Sequence, residues 1–266
     1  MVVFVGAAAT LLVTGNTDIR YSADHERTIP IWHIWIPALV GIALTRLVPP
    51  RLPDVDPMPG TPSNQVRREA LICVALAVIF ALALPVLGTP VPDGWYLGLK
   101  IGLLAVIPSI VLRVGRLWGI TDHRHATLGL WYWIGPGAAI GAWFALAYFG
   151  PFARSFVGEV SLIAVIGLFL LNSVLEETFY RIWLQTRLES LLGSWTGIAG
   201  AALLWAAWHM VIQGTGRPMI DLATVVAYQG VLGLFLGFLW SRYRNPWALF
   251  LVHGAINAPL ALLLSL

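Results

Sequence analysis

Two adjacent glutamates, Glu176 and Glu177, close a strongly apolar run, LIAVIGLFLL, and Arg181 follows them. Ionisable groups inside apolar helices are costly and usually mark function. On a continuous helix, residues four apart share a face, so Asn172, Glu176 and Tyr180 form one polar stripe. Glu177 and Arg181 lie on an adjacent stripe, where they can pair. Such a pair would keep Glu177 ionised and leave Glu176, about 100° around the helix, free for an incoming water. The same EExxxR pattern also fits an interfacial helix end with an ordinary salt bridge.

Two further apolar segments carry polar side chains. His209 stands one turn after Trp205 within LLWAAWHMVI, and His253 and Asn257 lie four apart in the last apolar run. A lone histidine such as His209 also suits hydrogen-bonded packing. His253 and Asn257 must share a face, and hydrocarbon would penalise both. Three helices thus bring polar groups to poorly solvated places, and each supplies the others' missing hydrogen bonds if they converge. A converged Glu, two His and an Asn can hydrolyse an amide: a carboxylate takes a proton from water, an imidazole orients that water or protonates the leaving amine, and neutral donors stabilise the oxyanion.

The order EExxxR, then an aromatic residue four before His, then HxxxN, resembles the signature of the CAAX-processing and bacteriocin-processing (CPBP) intramembrane glutamic endopeptidases, which include the type II CAAX prenyl endopeptidases. The resemblance covers about 100 residues of the C-terminal half. It implies that Glu176 activates water with His209 as partner, that His253 and Asn257 receive the oxyanion, and that Glu177 and Arg181 support them. Trp205 stands where phenylalanine is usual, and Ile182 where glycine is common. Two histidines and a glutamate would also suit catalytic zinc. HExxH is absent, and the resemblance implies no required metal, so neither a metal nor a cofactor is expected.

The elements that must position these groups are membrane helices. Of 266 residues, 58% are hydrophobic and only 11% charged, against about a quarter charged in a soluble domain. Lipid must solvate much of the outside. Apolar segments begin near Ile31, Ala70, Tyr96, Leu128, Phe156, Thr196, Leu222 and Trp247, with a shorter one over the first 15 residues. The expected fold is all-α, a polytopic transmembrane bundle of about eight to nine spans. Residues 1–155 are read as N-terminal transmembrane helices and 156–266 as the catalytic core of one continuous membrane domain.

Basic residues are unevenly shared between alternate connections. The segments around Arg46–Arg68, Arg113–Arg124, Arg181–Arg187 and Arg242–Arg244 hold 11 of the 16 Lys and Arg; Arg20, Arg27, Lys100, Arg154 and Arg217 make up the rest. The richer set is read as cytoplasmic, so the catalytic helix end is expected to face the cytoplasm, in a bacterial plasma membrane. The net charge of +3 belongs to these loops rather than to nucleic-acid binding. The expected partners are the bilayer and a peptide or membrane-protein substrate.

Other signals are read as structural. Asp122-His123-Arg124-His125 is a solvated cluster, Glu159 and His33 lie near span ends, and Cys73 is a small apolar packing residue. Trp32, Trp35, Trp95, Trp118, Trp131, Trp133, Trp240 and Trp247 fit an interfacial aromatic belt. No G-x-S-G, GxGD or phosphate-loop motif is present, which disfavours serine and aspartyl intramembrane proteases. Two other functions fit the buried polar residues: a non-proteolytic immunity or scaffold protein, and a proton-coupled transporter.

Overall fold

A computed structural model describes residues 1–20, 27–49, 51–52, 56–88, 91–112, 128–149 and 161–257. Among them are nine helices: α1 (Val2–Val13), α2 (Trp32–Leu47), α3 (Ser63–Val86), α4 (Asp93–Leu112), α5 (131–149), α6 (Leu162–Leu192), α7 (Ser194–Gln213), α8 (Pro218–Tyr243) and α9 (Pro246–Asn257). Each corresponds to one of the nine apolar segments in the sequence. The molecule is mostly helical, as expected, with one addition. Strands β1 (Asp18–Arg20) and β2 (Thr28–Pro30) pair antiparallel, with Ile19 opposite Ile29.

Five helices, α3, α4, α6, α7 and α8, are long and apolar enough to cross a bilayer. That is fewer than the eight to nine spans expected. Helices α1 and α2 have 12 and 16 residues, short of the roughly 20 that a full span takes. Helix α8 is buried for most of its length, whereas Leu71, Leu82, Ile110 and Ile163 on other spans point outward. Apolar side chains on both the inside and the outside are what a bilayer-solvated bundle requires. The protein is an integral membrane protein.

Local chemistry sets the turns that matter. Gly193, at φ +81°, separates α6 from α7. One turn later Gly197 lies so close to α6 that a Cβ there would stand 2.6 Å from the Glu189 amide nitrogen. Small residues let membrane helices approach in this way. Before α9, Arg244 takes a left-handed conformation (φ 52°), Asn245 Oδ1 accepts from the amides of Trp247 and Ala248, and Pro246 occupies the first turn. Asparagine caps and a first-turn proline are natural helix starts.

Helix α6 is not a uniform α-helix. Wide π-helical turns occupy Phe169–Val174 and Thr178–Gln185, leaving a short α segment, Leu175–Glu177, between them. Such turns are rare and often accompany functional sites.

Several expectations are corrected here. Lys100, Arg181, Arg187 and Arg244 are buried rather than exposed on loops, so they do not bear on orientation as connection charges do. Trp240 is buried and donates to Thr186 Oγ1 at 2.8 Å, so it is a core residue and not part of an interfacial belt. Trp32, Trp95, Trp131, Trp133 and Trp247 are exposed near helix starts, where a belt would place them. Cys73 is buried in the core. Trp118, Asp122–His125, Arg154 and Glu159 lie outside the described residues.

Candidate active site

The indole of Trp205 is where the three polar helices meet. Its Nε1 donates to Glu176 Oε2 at 2.5 Å, joining α7 to α6. Its ring centroid lies 5.1 Å from that of His209 and 5.4 Å from that of His253, both edge-on. The Arg181 guanidinium sits 4.9 Å from the same ring, within cation–π range. Glu176, Glu177, Arg181, His209 and His253 are all buried. The expected convergence of EExxxR, His209 and His253 is therefore present.

Glu176 is not left without partners, as the helix stripe alone suggested. Besides Trp205, it has the Lys100 ammonium at 2.6 Å from Oε1. The same ammonium donates to Asn172 Oδ1 at 2.6 Å and to the Tyr96 hydroxyl at 3.1 Å. The Asn172–Glu176 stripe is real, and it faces α4. Tyr180, the third residue of that stripe, is fully buried and its hydroxyl makes no hydrogen bond among the described residues. A carboxylate has about four acceptor positions, so two donors still leave Glu176 able to accept from a water.

The second stripe of α6 faces α9. Glu177 Oε1 accepts from His253 Nδ1 at 2.7 Å, and Ser173 Oγ lies 3.5 Å from Asn257 Nδ2. Ser173 and Glu177 are four apart, as are His253 and Asn257, so two antiparallel helices match rung for rung. Gly254 allows this approach: a Cβ there would stand 2.9 Å from the Phe169 ring. Glu177 also pairs with Arg181, as the i,i+4 spacing predicts, though at 3.5 Å. His253 and Asn257, expected to act together on an oxyanion, thus contact separate α6 residues.

His209 has a defined tautomer. Its Nδ1 lies 3.0 Å from the Trp205 carbonyl oxygen. A carbonyl only accepts, so Nδ1 carries the proton and a neutral ring presents an unprotonated Nε2. The ring also stacks on Trp208, with centroids 3.8 Å apart and planes tilted by 30°. The Lys100 ammonium lies 5.1 Å from the Trp208 ring and 5.2 Å from that of Tyr96.

Residues 158–259 match the family model of the type II CAAX prenyl endopeptidase, Rce1-like. The matched region lies wholly within the C-terminal half. No curated protein and no solved structure matches the chain. The match spans α6 to α9 and contains every site residue read from the sequence; Lys100 and Tyr96 lie outside it.

Within the matched region, His253 contacts Glu177, and His209 Nδ1 contacts the Trp205 backbone carbonyl. No three His, Cys, Asp or Glu side chains cluster as metal ligands among the described residues. Sequence reasoning overlooked Lys100, the Trp205 N–H and Ser173. Lys100 was the one recoverable signal, a lone cation two turns inside an apolar segment beginning at Asp93. At 1.5 Å per residue, Lys100 stands about 10 Å from the start of α4, and His209 about 6 Å from the end of α7. The site therefore lies nearer the Gln213 end of α7 than its Ser194 start.

Proposed function

We propose that the Rce1-like region is an intramembrane endopeptidase in which Glu176 and His209 activate a water. The observation that carries this reading is the Trp205 indole, which gathers a carboxylate and two imidazoles from three helices around one ring. A water between Glu176 and His209 Nε2 would give its proton to Glu176 as its oxygen adds to the scissile carbonyl carbon. On collapse the C–N bond breaks, and the proton passes from Glu176 to the leaving amine.

Stabilising the oxyanion falls to His253 and Asn257. His253 Nδ1 already donates to Glu177, so donation to an oxyanion requires a second proton on Nε2. That proton is taken up from solvent, and the imidazolium's charge is balanced by the oxyanion that forms beside it. Arg181 holds Glu177. The reading needs no metal, because Glu176 and His209 supply both proton acceptors.

The substrate class follows from the family description, a prenylated CAAX protein or a peptide resembling one, at the membrane. The test is cleavage of a farnesylated CAAX peptide by the full chain in proteoliposomes. Wild type should cleave it, whereas Glu176→Gln and His209→Ala should insert and fold but not cleave. Normal turnover by a folded Glu176→Gln protein would falsify the glutamate mechanism. Protease mapping of sealed vesicles tests whether the arginine-rich end of α6 faces the cytoplasm.

A further inference from the structure

We infer that Lys100, on α4 and outside the Rce1-like match, is a positioning residue that completes the catalytic carboxylate. This rests on Glu176 being the base. Three observations carry it.

The first is stoichiometry. An ammonium has three N–H donors. Lys100 Nζ finds three acceptors: Glu176 Oε1, Asn172 Oδ1 and the Tyr96 hydroxyl. It is wholly buried, and the Tyr96 and Trp208 rings flank it. A buried lysine with a partner for each proton is built into the site rather than caught there.

The second is charge. Glu176 and Glu177 are consecutive and both buried. Two carboxylates that share one cation in a poorly solvated interior cannot both ionise. Arg181 is committed to Glu177. Lys100 supplies the second positive charge, so two carboxylates meet two cations and the cluster is neutral while both imidazoles are neutral. Without Lys100, Glu176 would take up a proton and could no longer accept one from water.

The third is direction. Lys100 takes Oε1 and Trp205 takes Oε2. Donors from α4 and α7 thus hold one carboxylate oxygen each. The other groups around it are Tyr96 from α4, Asn172, Glu177, Tyr180 and Arg181 from α6 itself, His209 from α7 and His253 from α9. Of the two buried cations there, Lys100 pairs with Glu176 and Arg181 with Glu177.

Helix α4 is therefore part of the enzyme and not merely an anchor. Residues 158–259 alone would hold Glu176 without its counter-ion.

The test uses the full chain in detergent or proteoliposomes with three variants: Lys100→Met, Glu176→Gln and the double. Lys100→Met should lower kcat on the farnesylated peptide by on the order of 10²-fold, with KM within about twofold because Lys100 does not touch substrate. Infrared spectroscopy should show a carboxylic-acid C=O band in Lys100→Met that is absent from wild type and vanishes in the double variant. The double variant should also melt at a higher temperature than Lys100→Met, since removing both charges leaves neither stranded.

A folded Lys100→Met protein with wild-type kcat and no new band overturns the inference. If Lys100→Met does not fold, rescue by Glu176→Gln supports it and lack of rescue overturns it. If the wild type cleaves nothing, the peptidase reading fails alone. The infrared and melting results still decide whether Lys100 keeps Glu176 ionised.

Discussion

Helix α6 carries two buried charged clusters about three turns apart, and they are finished to different degrees. Near its end, Arg187 donates to Glu69 at 2.8 and 2.9 Å and to the Trp183 carbonyl at 2.8 Å. Glu189 accepts from Gln185 at 2.6 Å and from Arg244. Each charge there has an opposite charge at hydrogen-bond distance. At the site, Lys100 and Glu176 are equally well met, but Arg181 is not. Its three guanidinium nitrogens and Glu177 Oε2 make no hydrogen bond among the described residues, nor do Tyr180 Oη and Trp208 Nε1.

Unmet donors are expensive in an interior, so they need a reason. The end cluster joins α3, α6 and α8 with every charge paired, and its unmet atoms, Trp183 Nε1 and Gln185 Oε1, are neutral. On the proposed reading, the unmet groups at the site are the ones a water and a peptide carbonyl would meet.

Substitutions can break this contrast. The largest expected effect is Glu176→Gln, which should cost on the order of 10²–10⁴ in kcat while the melting temperature holds. Arg187→Met should do the reverse. It strands Glu69 and should lower stability by about 3–5 kcal/mol, measured by unfolding in mixed micelles, with kcat per folded molecule unchanged. A kcat loss above about tenfold in a fully folded Arg187→Met protein would merge the two clusters into one functional unit.

Smaller effects sharpen the same boundary. Trp205→Phe keeps a ring but removes the donor to Glu176 Oε2, at a cost of about 1.5–3 kcal/mol for a bond to a charged group. That loss should appear in kcat. Gly254→Ala pushes a methyl into Phe169 and should cost about 1–3 kcal/mol of stability by overpacking. It should also lower kcat, because His253 is adjacent. Ser173→Ala removes only a 3.5 Å contact to Asn257; a stability change above about 0.5 kcal/mol would show that this contact is stronger than its length suggests.

The sequence reveals what depends on spacing along one helix. Nine apolar segments become nine helices, and Glu177 pairs with Arg181 because four residues make one turn. The convergence of α6, α7 and α9 also follows, since each brings polar groups that only the others can satisfy. Contacts between distant segments are not legible in this way. Lys100 lies 72 residues before Asn172, so its place inside an apolar segment marks it as unusual but does not name its partners. Arg181 and Arg187 look like orientation signals because their acidic partners, Glu177 and Glu69, cannot be judged buried from composition. Trp205 reads as an aromatic of the right size; its N–H gains meaning only when Glu176 lies 2.5 Å away.

One mechanical consequence follows from both clusters riding on a single helix. A rotation of α6 about its axis that swung Glu176 away from Lys100 would carry Arg187 and Glu189 with it, breaking their bonds to Glu69 and Arg244 at the same time. The far cluster acts as a key that fixes the angular phase of the whole shaft. Room for an incoming chain must then come from neighbouring helices moving aside while α6 stays still. Helix α4 is pinned to α6 by the buried Lys100–Glu176 pair, and α9 meets it through the Glu177–His253 and Ser173–Asn257 contacts, so each helix would have to give up a different polar contact to move.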